Sequence, residues 1–279
     1  MRPVTYLDQI VAVHRDRAGS DKRDGRVLRE RAERCEADFP TRGFVEHLRS
    51  HEGLSVVAEI KRRSPSKGDI DPGLDPAALA ADYEAGGAAC LSVLTDEQFF
   101  GGSGRDLTAA RDACRLPVLR KDFTLSEADV CDSRIMGADA ILLIASVLDD
   151  RLLRTLQGLA LELQMDALVE VHDEQELERA LELGAGLVGV NQRDLQSFEV
   201  DTERALHLAG RIPAGVVAVA ESGIAGADHA RALAAAGYQA ILVGESLLRS
   251  RDRRDTLRAL DGLAVGDRAS AGLSGRRGS

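Results

Sequence analysis

A closed barrel of eight parallel strands, each followed by a helix, is the fold this sequence predicts, and three features predict it. Eight short apolar runs rich in β-branched residues punctuate the chain between Val56 and Val243. Most are continuous rather than alternating, as expected of parallel strands covered by helices. Helix-like segments with readable ends lie between them, and strand centres recur roughly every 20 to 34 residues, the size of one βα unit. An open doubly wound sheet has similar periodicity. Its usual Gly-x-Gly-x-x-Gly fingerprint after the first strand is missing here.

The runs are 56–60, 90–94, 117–121, 140–144, 167–171, 187–191, 216–220 and 240–243. Between the first two, Asp75-Pro76 sets a capping carboxylate before a proline at the first helical position, and Gly86-Gly87 closes the segment. Asp173-Glu174-Gln175-Glu176 has the form of a capping box, Leu177, Ala180 and Leu181 make an apolar face, and Gly184 ends it. Ala227 to Ala236, closed by Gly237, repeats the pattern. Residues 1–52 read as a helical extension packed on the barrel, with apolar stripes at Tyr6, Leu7, Ile10 and Val11, at Val27, Leu28 and Ala32, and at Phe44, Val45 and Leu48. Arg15 to Arg26 reads as a solvated loop within it. The barrel is expected over 53–263, and the Gly/Ser/Arg-rich residues 264–279 as a disordered tail.

Composition narrows the function. Aromatic residues are 3% of the 279 residues and Trp is absent, which argues against stacking platforms for single-stranded nucleic acid. The net charge of −10 argues against a duplex-binding face and against an anionic membrane surface. No run approaches the roughly eighteen apolar residues of a membrane span, and no signal-like stretch follows Met1, so a soluble cytoplasmic protein is expected. Cys35, Cys90, Cys114 and Cys131 form no C-x-x-C pair and read as reduced, packed thiols. His47 and His51 stand at i, i+4 without a third ligand in view, so they read as a solvated helix end and no metal site is expected.

In such a barrel the active site lies where the strands end. Glu59 and Lys61 follow the first strand on one face, Lys121 ends the third, Glu170 lies in the fifth, Asn191 ends the sixth and Glu221 follows the seventh. A barrel interior favours Val, Ile and Leu, and an unpaired charge there costs several kcal/mol. Two lysines and three carboxylates on one rim can compensate one another, which makes these six the candidate catalytic set. Glu221-Ser222-Gly223 after the seventh strand and Gly244-Glu245-Ser246 after the eighth have the character of a phosphate site, because glycine admits close backbone approach and turn amides supply donors. Glu245 is given a backbone role only, since its carboxylate would repel phosphate. Gly101-Gly102-Ser103-Gly104 reads as a flexible loop, with a mobile lid as the sharper alternative.

These segments together resemble indole-3-glycerol-phosphate synthases. Ala58-Glu59-Ile60-Lys61-Arg62-Arg63-Ser64-Pro65-Ser66-Lys67-Gly68 matches that family's signature closely. The likeness runs on through Ser92-Val93-Leu94-Thr95-Asp96-Glu97, Phe100 with Gly102-Ser103, Leu119-Arg120-Lys121-Asp122-Phe123 and Leu168-Val169-Glu170-Val171-His172. It ends with Gly189-Val190-Asn191-Gln192-Arg193-Asp194-Leu195, Ala220-Glu221-Ser222-Gly223-Ile224 and Val243-Gly244-Glu245-Ser246, covering about residues 54–250 in order.

The resemblance implies the substrate 1-(2-carboxyphenylamino)-1-deoxyribulose 5-phosphate, ring closure with loss of CO₂ and water, and neither cofactor nor metal. It implies Lys121 as the acid on the ribulose carbonyl, with Glu59 holding it in place. Lys61 would pair with the substrate carboxylate and Glu170 would act as the base, with Asn191 and Glu221 on substrate hydroxyl or amine groups. Ser64, Ser222, Gly223, Gly244 and Glu245 map to the phosphate region with Arg193 at its edge, and Phe100 and Phe123 map to an apolar slot for the anthranilate ring. Lysine acidity would have to be tuned downward. A small phosphorylated substrate is the expected partner, with a monomer and at most transient contact with other tryptophan-pathway enzymes. A phosphoribosylanthranilate-isomerase-like barrel and a non-catalytic phosphate-ligand binder are the competing readings.

Overall fold

The computed structural model describes residues 5–65, 67–194 and 197–268. Eight parallel strands close into a barrel: β1 (Ser55–Ile60), β2 (Cys90–Leu94), β3 (Val118–Lys121), β4 (Ala140–Ile144), β5 (Asp166–Val171), β6 (Leu187–Asn191), β7 (Val217–Glu221) and β8 (Ala240–Val243). Each pairs with its sequence neighbours, and β1 pairs with β8 to complete the ring. All eight expected strands are present, with ends shifted by no more than a residue.

Strand alternation sorts the side chains into two cores. Val56, Ala58, Leu91, Val93, Ile141, Leu143, Val169 and Val188 face the outer helices in the larger core. Val57, Cys90, Leu119, Leu142, Leu168, Leu187, Val219 and Leu242 fill the barrel lumen. Two residues beyond these lumen positions come Glu59, Lys121, Glu170, Gly189, Glu221 and Gly244, so the same face turns from apolar to polar as the strands reach their C-terminal ends.

The expected capping residues act as such. Asp75 caps the helix Pro76–Gly86, whose C-cap Gly87 is left-handed. Asp173 caps Glu174–Glu182 by accepting from the Glu176 amide, although the Glu176 side chain turns to His172 rather than closing a reciprocal box.

The extension holds three helices, α1 (Tyr6–Ser20), α2 (Gly25–Asp38) and α3 (Phe44–Ser50). The solvated loop expected over Arg15 to Arg26 is shorter than that. Residues 15–20 continue α1, because Arg15 and Arg17 reach Val147 O and Gln98 and so tie a mixed-charge helix face to the barrel. Phe44 and Leu48 of α3 are fully buried in the lumen core and close its floor. Asp139 and Asp166 accept from the Arg42 and Val45 amides and hold α3 there. α2 packs on the helix Glu127–Ile135, where buried Arg134 reaches Glu36 and the Phe39 carbonyl.

One element was not anticipated, and two further expectations need correction. A two-stranded hairpin, Arg63–Ser64 with Gly68–Asp69, follows β1. The Gly101–Gly104 stretch is a tight turn rather than a loose loop: Gly101 ends the helix Glu97–Phe100, Gly102 donates to the Asp96 carbonyl, and Ser103 caps the helix Gly104–Ala113. The expected disordered tail does not begin at 264, since Gly266 donates to Ala234 O and Arg268 to Val216 O. Residues 269–279 lie outside the described residues. All four cysteines are free and buried.

Replacing Phe44 by Ala opens the lumen floor, and about 3–5 kcal/mol of stability should be lost in urea unfolding. A loss under about 1 kcal/mol would mean that the floor collapses to fill the gap.

Candidate active site

A cavity of about 420 Å³ opens at the C-terminal ends of the strands. The fourteen singled-out residues all line it: Glu59, Lys61, Ser64, Phe100, Lys121, Phe123, Glu170, Asn191, Arg193, Glu221, Ser222, Gly223, Gly244 and Glu245.

Lys121 is the hub of its polar end. Its Nζ donates to Glu170 Oε2 at 3.0 Å and to Glu221 Oε2 in a short ion pair. Lys61 forms a second pair with Glu59, so Glu59 does not hold Lys121 directly as expected. The register explains this. Lys61 lies two residues along the same strand face as Glu59, whereas Lys121 sits four strands from Glu221, on the opposite side of the ring, and the two side chains meet across the lumen.

The electrostatics also differ from expectation. Burial disfavours the Lys121 ammonium, but the charges of Glu170, Glu221 and Glu59 outweigh it and raise Lys121 above the ordinary lysine range. Burial also works against the Glu170 carboxylate, yet Lys121, His172 and a hydrogen bond from Asn191 hold it below the usual range. Burial dominates at Glu221 and lifts it to about 7 despite Lys121, with Glu170 and Glu59 adding repulsion. Two lysines facing three carboxylates leave one negative charge in excess, and Glu221 is the group that can take up a proton to remove it.

Two glycines make room for this layer. A Cβ on Gly189 would stand 2.0 Å from Glu221 Oε1, and one on Gly244 would stand 2.5 Å from Glu59 Oε1. Ser222 and Gly223, with φ of 63° and 68°, turn the chain sharply after β7. Glu245 is paired with Arg249 at 3.2 Å, which offsets its charge beside this turn. Arg193 donates its backbone amide to Asn191 Oδ1 and its guanidinium to the Phe198 carbonyl, which fixes the edge of the cavity.

Phe100 and Phe123 approach at 6.5 Å between ring centroids and form an apolar wall. Their backbones are pinned by carboxylates. Asp96 accepts from the Phe100 amide at 3.1 Å, and Asp122 accepts from the Phe123 amide at 2.8 Å. His14 of α1 reaches Asp96 at 2.9 Å and lies 4.0 Å from Asp122. These three offer atoms within 4.8 Å of one another. The amide bonds, together with the Arg120 contact to Asp122, already engage both carboxylates, so the cluster is accounted for as a hydrogen-bonded brace.

Sequence reasoning missed part of the wall. Tyr6, Leu7 and Ile10 of α1 line the cavity, as do Leu142 and Arg249. The α1 stripe was visible only as an amphipathic pattern, which core packing explains equally well. Arg249 carried a faint signal, its i, i+4 spacing from Glu245.

Interleaved lysines and carboxylates, buried at the C-terminal mouth of a (β/α)₈ barrel above an enclosed cavity, define a barrel of the enzyme class. The chain belongs to the indole-3-glycerol phosphate synthase family, whose model matches residues 7–260. It is 47% identical over 255 residues to the indole-3-glycerol phosphate synthase of Desulfotalea psychrophila, an alignment covering 91% of this chain and 97% of that one. It is 49% identical over 240 residues to indole-3-glycerol phosphate synthase 2 of Streptomyces coelicolor, covering 85% and 93%. Among solved structures, 3-hexulose-6-phosphate synthase superposes with a TM-score of 0.61 at 16% identity, over 76% of this chain and all of that one, a likeness of fold. No helix among the described residues is long and apolar enough to cross a membrane.

Gly189→Ala should force Glu221 away from Lys121, costing about 1–3 kcal/mol of stability and lowering turnover well beyond what the stability loss explains. Wild-type turnover in a folded Gly189→Ala protein would show that the Glu221–Lys121 contact is dispensable.

Proposed function

We propose that the chain converts 1-(2-carboxyphenylamino)-1-deoxyribulose 5-phosphate into indole-3-glycerol phosphate, CO₂ and water. The observation that carries this reading is the position of Lys121, protonated and bracketed by Glu170 and Glu221, between an apolar aromatic wall and the turns after β7 and β8. The substrate has an aromatic ring, a carbonyl and two anionic groups, and the cavity offers a region suited to each.

The anthranilate ring lies against Phe100 and Phe123. Its carboxylate pairs with Lys61, while the phosphate takes the Ser222–Gly223 and Gly244–Ser246 turns, with Ser64 and Arg249 beside them. Lys121 donates its proton to the ribulose carbonyl oxygen as the ring carbon bearing the carboxylate attacks the carbonyl carbon. Glu221, titrating near 7, can return a proton to Lys121. Glu59 offsets cationic character in the ring intermediate. Breaking the carbon–carbon bond to the carboxylate releases CO₂ and returns the electron pair to the ring. The hydroxyl then takes a second proton from Lys121, recharged through Glu221, and leaves as water, while Glu170, held as a carboxylate, takes the proton whose loss completes the aromatic indole.

Product fluorescence from purified protein and this substrate, with EDTA present, tests the reading directly. Absence of turnover in folded protein would refute it. Lys121→Ala should lower kcat about 10²-fold or more, with KM within about tenfold, and unchanged kcat would remove Lys121 as the acid. A Cβ on Gly223 would meet Val200 Cγ1 at 2.3 Å. Gly223→Leu should therefore raise KM by about tenfold or more, as loss of a charge-assisted hydrogen bond would. An unchanged KM would move the phosphate elsewhere.

A further inference from the structure

β6 and β7 stay paired as far as Asn191 and Glu221, and the Gln192 amide still donates to the Glu221 carbonyl at 3.0 Å. One more rung of this parallel ladder would bring the Gly223 amide to the Gln192 carbonyl. That carbonyl accepts instead from the Asp201 amide at 2.8 Å, where the segment after β6 folds back through the Arg193–Val200 bridge. The Gly223 amide is thereby left out of the ladder, and among the described residues it donates to nothing. Gly223 itself lines the cavity, beside Ser222.

A side chain takes over where the ladder stops. Gln192 is fully buried behind the turn, and its Nε2 donates to the Ser222 carbonyl at 2.7 Å. A carbonyl can only accept, so the end of the side-chain amide facing it is the nitrogen. The C=O and N–H of a trans peptide unit point in opposite directions. A Ser222 carbonyl drawn back to Gln192 therefore turns the Gly223 N–H forward, toward the cavity. Ser222 at φ 63° holds the left-handed backbone that favours glycine, and a residue with a Cβ stays there only where its surroundings fix it. Gln192 Oε1 is buried and has no hydrogen-bond partner among the described residues. An apolar side chain of similar size would bury no such orphan, so packing alone does not call for an amide at this position.

We propose that Gln192 is a positioning residue for the substrate phosphate: it holds the Ser222 carbonyl and so aims the Gly223 N–H at a phosphate oxygen, a role that rests on the proposed function in taking the anion at this turn to be the substrate's phosphate. Gln192 touches no substrate atom; it acts through the Ser222–Gly223 peptide. Without the bond, Ser222 is free to leave its left-handed conformation, and the Gly223 amide turns with it. The phosphate takes no part in ring closure and is held alike before and during the chemical step. Losing the aimed amide therefore weakens binding and leaves the chemistry in place.

The test compares the full-length wild type with Gln192→Met, which keeps the volume and loses the donor, and with Gln192→Asn, which keeps the amide and shortens its reach by one methylene. Three quantities are read on protein shown to be folded by urea unfolding: kcat and KM for the substrate, kcat/KM for the same compound without its phosphate, and the Kd of inorganic phosphate by calorimetry. In Gln192→Met, KM and the phosphate Kd should each rise about tenfold or more, as for loss of a charge-assisted hydrogen bond. Its kcat should be little changed, and its kcat/KM for the compound lacking phosphate should match wild type. Gln192→Asn should move in the same direction and carries the test if Gln192→Met does not fold. Wild-type KM and phosphate Kd in the folded variant overturn the proposal, and so does an equal loss on both compounds, which a merely structural role would give. Inactive wild type would overturn the reaction instead, while the phosphate Kd would still report on the turn, so the two failures are separable.

Discussion

The ion pairs of Lys121 with Glu170 and Glu221 are the constraint around which the upper half of the barrel is organised. Charges enclosed this far are costly alone, and removing one member of a buried pair typically costs more than the pair is worth in stability. The layer is therefore interdependent: Lys121 needs both carboxylates, Glu221 needs the space at Gly189, and Glu59 needs Lys61 and the space at Gly244. Below it, the lumen is filled with Val, Leu and Ala, which fixes the height at which the charges sit. The apolar layers supply the rigidity; the polar layer uses it.

The helical extension braces the barrel at both ends. α3 seals the floor with Phe44 and Leu48, while α1 lies beside the mouth, with Tyr6 stacked edge-on against Phe99 and Phe198 at 5.8 and 5.6 Å. His14 carries the brace inward, since the carboxylates it faces hold the amides of Phe100 and Phe123. The aromatic wall thus takes its position from three separate segments of the chain: α1, the turn after β2 and the turn after β3. Its ring spacing is a property of the assembled tertiary structure and of no single loop.

Much of this was legible in the sequence, for reasons that can be stated residue by residue. The period-two pattern places Glu59, Lys121, Glu170 and Glu221 on the lumen side because each follows a lumen residue by two. Which carboxylate takes which lysine was not legible, since that depends on side chains meeting across strands that sequence spacing leaves unordered. The downward tuning of lysine acidity that the chemistry asks for is outweighed at Lys121 by the summed field of Glu170, Glu221 and Glu59. The helical course of residues 15–20 was hidden by their charge, because a solvated helix face and a solvated loop have the same composition. Gly266 and Arg268 looked like tail residues, and only the carbonyls of Ala234 and Val216 reveal them as barrel contacts.

The close approach of Gly244 to Glu59 bears on how such a chain can change over generations. Any side chain at position 244 would collide with the carboxylate, so a larger residue there becomes tolerable only after Glu59 has shortened or been lost. Two substitutions that would each read as local are thereby placed in a fixed order. Lineages that keep the carboxylate are thereby held to the glycine by packing, independently of what its backbone offers a ligand.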